Sequence, residues 1–96
     1  MAEEDVDWSH LGAGEYANYF LVEHDFVAFY LDCGQLGDSE QKTTTKVYSR
    51  IITTPVGARR LLDTLSKALA VYKRRFGEIR DENGIIVSGD TEENLE

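Results

Sequence analysis

The chain has 96 residues, a formal net charge of −8 and a single cysteine. That length holds one domain at most, and a core of that size is marginal without a disulfide, a metal or self-association. Cys33 excludes an intramolecular disulfide and fits a reducing compartment, so a cytoplasmic location is expected. The acidic start MAEEDVDW lacks the apolar stretch of a signal peptide, and no apolar run approaches the ~18 residues of a spanning helix.

Residues 1–15 carry five acids and no base, and residues 77–96 carry seven acids against Arg80. Residues 16–76 carry nine bases against six acids. Acidic ends therefore flank a mildly basic middle, a pattern that keeps a sticky module in solution. Residues 1–14 have no hydrophobic period and end in HLGAG, which predicts a flexible acidic arm. Trp8 in that arm is an apolar group able to dock on a surface.

Residues 15–24 and 26–34 are rich in Tyr, Phe, Val and Leu and read as a β-hairpin. Placing His24 and Asp25 at the turn sets Val22 opposite Val27, Phe20 opposite Phe29, Asn18 opposite Leu31 and Tyr16 opposite Cys33 on one side. Ala17, Tyr19, Leu21, Phe26, Ala28 and Tyr30 then lie on the other, with Glu23 and Asp32 near its ends. Residues 36–43 form a polar loop. Residues 44–53 form a third strand, with Val47 and Ile51 on the first side and Tyr48, Arg50 and Ile52 on the tyrosine side. Arg50 is then placed to pair with Asp32.

Thr54 suits a helix cap and Pro55 the first helical position. Gly77 suits the left-handed stop, behind Arg74 and Arg75 in the last turn. Between them Ala58, Leu61, Leu62, Leu65, Ala68, Leu69, Tyr72 and Phe76 share one arc at helical spacing. Arg59, Arg60, Lys67, Lys73 and Arg74 form a basic opposite face. Residues 84–88, with Ile85, Ile86 and Val87, are a candidate short fourth strand in an otherwise acidic, flexible 79–96 tail. The expected fold is α+β: a three-stranded antiparallel meander and one long amphipathic helix packed on one sheet face, spanning 15–78.

Groups for catalysis do not converge in this layout. Cys33 points to the apolar side, while His10 lies in the arm and His24 at the far end of the hairpin. No CxxC or HxxxH spacing suggests a metal, and Gly12 and Gly14 lack the remainder of a nucleotide-binding fingerprint. Glu23 and Asp32 are too far apart along the hairpin to share a proton. The reading is a non-enzyme without catalytic, metal or cofactor residues.

The stretch YANYFLVEHDFVAFYLDCGQ, then VYSRIITTPVGARRLLDTLSKALAVYKRRFGEI, resembles the domain-of-unknown-function family 3467, small bacterial and archaeal proteins. The match runs over residues 16–79 and is carried by YANY, FYLDCGQ, SRIITTP, ARRLL and YKRRFGEI. Members more usually show LDFGQ, so Cys33 stands where Phe is common, and the resemblance implies no catalytic residue.

A single helix covers one sheet face, which leaves the tyrosine side, with Ala17, Tyr19, Leu21, Phe26, Ala28, Tyr30 and Ile52, as the expected interface. A homodimer or higher homo-oligomer is expected, serving protein–protein interaction or regulation. Two alternatives are a SecB-like chaperone or peptide-binding module, by analogy of shape alone, and a nucleic-acid regulator using the basic helix face, which the acidic ends oppose. No membrane contact is expected.

Overall fold

The computed structural model describes residues 5–37 and 44–87. The described residues divide into two compact units, one up to Pro55 and one from Val56. The first unit holds β1 (Tyr19–His24), β2 (Phe29–Gln35) and β3 (Lys46–Thr53) in one antiparallel sheet of order β1-β2-β3. The second holds all but the first residue of α1 (Pro55–Phe76), 22 residues long. This is the α+β layout, three antiparallel strands and then a helix, that hydrophobic spacing predicts.

The hairpin register differs from the expected one. His24 pairs with Phe29, Val22 with Leu31, Phe20 with Cys33 and Tyr19 with Gly34. His24 and Asp25 are therefore not a two-residue turn; residues 25–28 form a four-residue loop. Asp25 causes this. Its Oδ1 accepts from the amides of Val27 (2.8 Å) and Ala28 (2.9 Å), and its own amide donates to the Ala28 carbonyl (3.0 Å). A carboxylate that takes up turn amides sits at the start of a turn, not at its centre. Phe26 and Ala28 consequently lie in the loop, not on a strand face, and Phe26 is almost wholly exposed.

The register slides by four residues on β2. Because that number is even, every strand side chain keeps its expected face. One face carries Phe20, Val22, His24, Phe29, Leu31, Cys33, Ser49, Ile51 and Thr53, with no acid or lysine or arginine among them. The other carries Tyr19, Leu21, Glu23, Tyr30, Asp32, Arg50 and Ile52.

Val47 does not join Ile51 as expected. The β2–β3 register shifts between Cys33 and Gly34, so Cys33 pairs with Ser49 but Gly34 with Val47, and Tyr48 is the extra residue. A bulge of this kind changes the facing of what lies beyond it. Gly34 is needed there, since a Cβ would meet the carbonyl oxygen of Lys46 and lie 2.8 Å from the Val47 Cα. Asn18 extends the pairing past β1: its amide donates to the Gly34 carbonyl (2.9 Å) and its Oδ1 accepts from Leu36 N (2.9 Å).

In the second unit, α1 begins at Pro55 and ends before Gly77, whose φ is +93° and whose amide donates to the Lys73 carbonyl (2.9 Å). That is the expected left-handed stop. Residues 79–87 then fold into a small hairpin. Arg80 bridges to Ile86, Asp81 N donates to Ile85 O (2.9 Å) and Val87 N to Ile79 O (2.8 Å). The segment expected as a fourth strand pairs with the residues that follow α1 and is outside the three-stranded sheet. Position 88, the rest of the expected tail and most of the expected 36–43 loop lie outside the described residues.

Candidate functional site

Only two of the described residues are buried, Asp32 and Gly34, both in the FYLDCGQ strand. Asp32 is 4% exposed. Register puts Arg50 directly beside it on β3, and the pair is bidentate: Nε to Oδ1 at 2.7 Å, Nη2 to Oδ2 at 2.9 Å. The fork of a guanidinium matches a carboxylate in this geometry. The pairing expected from sequence is thus present. The Arg50 hydrogen bonds hold the Asp32 carboxyl below its ordinary range, against the opposing pull of desolvation.

A chain of polar contacts extends from this pair along the tyrosine face. The Arg50 guanidinium lies over the Tyr30 ring, 5.4 Å from its centroid. Tyr30 Oη donates to Asp25 Oδ2 at 3.2 Å. Asp25 is in turn held below the usual carboxylate range by the Ala28 and Val27 amides, and its charge pushes the Tyr30 phenol up. The set Asp25–Tyr30–Arg50–Asp32 therefore ties the turn to all but the first strand. Asp32 is answered by Arg50, and Asp25 by two turn amides and the Tyr30 hydroxyl; no described buried side-chain N or O lacks a partner. This arrangement ties the turn, β2 and β3 together through side-chain contacts.

The expected interface residues are only partly brought together. Tyr19, Leu21, Tyr30 and Ile52 share the tyrosine face, but Tyr19 stands opposite Gly34 and Tyr30 opposite Glu23, not opposite each other. Ala17 precedes β1, and Phe26 and Ala28 belong to the turn. Sequence reasoning placed Arg50 on this face but missed how fully the ion pair occupies it. The signal was available in the third-strand arginine facing the LD pair.

The uncharged face and the helix stripe carry the larger apolar surface. Phe20 is 64% exposed, and Val22 and Ile51 are each 55% exposed. Along α1, Leu61, Leu62, Leu65, Leu69, Tyr72 and Phe76 are all exposed, and no residue of the helix is buried. No hydrophobic side chain among the described residues is buried. On the polar side of α1, Arg59, Arg60, Lys67, Lys73 and Arg74 are exposed, with Arg59 paired to Asp63 (3.3 Å) and Lys73 to Glu78 (3.4 Å). Cys33 lies on the uncharged face with a free thiol. Among the described residues no His, Cys, Asp and Glu cluster suits a metal ion, and no helix is long and apolar enough to cross a membrane.

A family model described as "Protein of unknown function (DUF3467)" matches residues 4–81, most of the chain. The chain belongs to the DUF3467 family. The DUF3467 match takes in the whole sheet and α1, with the buried Asp32 and Gly34 at its centre. No curated protein and no solved structure matches the chain.

Proposed function

We propose that this DUF3467 protein is a non-enzymatic, self-associating cytoplasmic module that acts as a protein–protein interaction or regulatory subunit. One observation carries the reading: no described hydrophobic side chain is buried, although the sheet and the helix each present an apolar stripe. A three-stranded sheet needs an apolar face covered to be stable, and a helix of this length is stabilised chiefly by packing of its amphipathic face. A second copy is the commonest way a small chain supplies such cover. The self-satisfied Asp25–Tyr30–Arg50–Asp32 set supports a scaffold role for the ionisable groups.

Mass in solution tests the reading. Light scattering on the purified chain should give at least twice 10.8 kDa at micromolar concentration. Leu65→Asp with Leu69→Asp should lower that mass or leave the chain unfolded by circular dichroism. A wild-type chain that is cooperatively folded and strictly monomeric overturns the reading.

A further inference from the structure

Resting on that reading, we infer that the partner is a second copy placed reciprocally, with α1 of each copy lying along the uncharged sheet face of the other. Three observations favour this pairing over helix on helix or sheet on sheet.

The first is charge. Residues 1–55 contain ten acids and three bases, whereas α1 contains six bases and Asp63 as its single acid. Two α1 helices side by side would bring two basic segments together. The strands are neutral, with Glu23 and Asp32 against Lys46 and Arg50, so what opposes sheet on sheet is the acid excess of the segments flanking the strands within residues 1–55. Helix against sheet joins opposite fields, which favours that encounter and disfavours the other two.

The second is shape and area. The helix is ~33 Å long at 1.5 Å per residue, and β3 is ~26 Å long at 3.3 Å per residue. The helix stripe therefore runs the length of the sheet. Phe20, Val22 and Ile51 with the leucines, Tyr72 and Phe76 of α1 expose on the order of 1,000 Å² per copy, compared with the ~800 Å² each partner contributes to a standard interface.

The third is connection length. Thr54 alone separates β3 from α1, fewer than the two to six residues usual between a strand and the next helix. A helix from another copy approaches the sheet without that tether.

The native thiol makes the test direct, because Cys33 lies on the uncharged face. Wild-type chain is mixed, after unfolding and joint refolding, with isotope-labelled chain carrying Cys33→Ser and Ala68→Cys. The mixture is treated with a flexible bis-maleimide and read by mass spectrometry. The expected product is the mixed dimer, linked sheet thiol to helix thiol, several-fold over either like-with-like product. Leu61→Cys in place of Ala68→Cys repeats the measurement one to two turns away, should the first variant fail to fold.

Predominant labelled–labelled product means helix on helix, and predominant unlabelled–unlabelled product means sheet on sheet. Either overturns this arrangement while leaving self-association standing. The same holds for a dimer, established by mass, that yields no cross-linked product at either position. A folded wild-type monomer overturns both.

Discussion

Asp25 and Asp32 are held in different ways, by turn amides and by a guanidinium, and both titrate below the ordinary 3.8 as a result. A carboxylate whose folded value is depressed stabilises the fold fully above its unfolded value and loses that contribution as pH falls through the folded one. Urea midpoints should therefore be flat above about pH 5 and fall as the solution is acidified below pH 4. Asp25→Asn keeps an oxygen for the turn amides, so it should perturb the midpoint less than Asp25→Ala. Equal losses from the two variants would contradict the turn assignment. Gly34 is the other residue with no latitude. Gly34→Ala drives a methyl into the Lys46 backbone, which cannot swing aside as a side chain would. A loss of ~1–3 kcal/mol in chemical unfolding is expected.

Strand and helix boundaries follow from local chemistry. The third strand ends where Thr54 and Pro55 start α1, and Gly77 stops the helix at φ +93°. Any other residue there pays for the left-handed conformation, so Gly77→Ala should destabilise by about 1 kcal/mol, measured as loss of helical ellipticity on heating. The hairpin shows the limit of local reading. Alternation told which residues share a face, because period two survives an even slide. It did not tell which residues stand opposite one another, since that depends on whether Asp25 fills the turn or caps it. The bulge at Gly34 likewise escapes a two-residue period, and it moves Val47 off the face that Ile51 occupies.

At the scale of the molecule the central fact is uncovered apolar surface on both units. If a second copy supplies the cover, folding and association are one equilibrium, and stability depends on protein concentration. A hundredfold rise in concentration should add about 2.7 kcal/mol per dimer and raise the thermal midpoint. A midpoint independent of concentration would be the signature of a chain that folds alone. Salt provides a second test of the charge argument: raising ionic strength should slow assembly, because screening weakens the attraction between the basic helix and the acidic sheet unit.

Composition and period determined the elements, their order and, outside the turn and the bulge, their faces, since strand alternation, helical spacing, caps and stops are all short-range properties; the family was legible in its motifs. The Asp32–Arg50 pair was legible too, because parity alone places both on one face of adjacent strands. Only the tertiary structure decided the four-residue turn, the bulge and the depth of Asp32: the turn is set by which amides the Asp25 carboxylate takes up, and the other two by what β3 lays beside β2. The tyrosine side also carries the polar chain Asp25–Tyr30–Arg50–Asp32. On the uncharged side, expected to be core, Phe20, Val22 and Ile51 are exposed residues. Alternation distinguishes the two sides of a sheet, but which of them is covered is set by the surfaces brought against it.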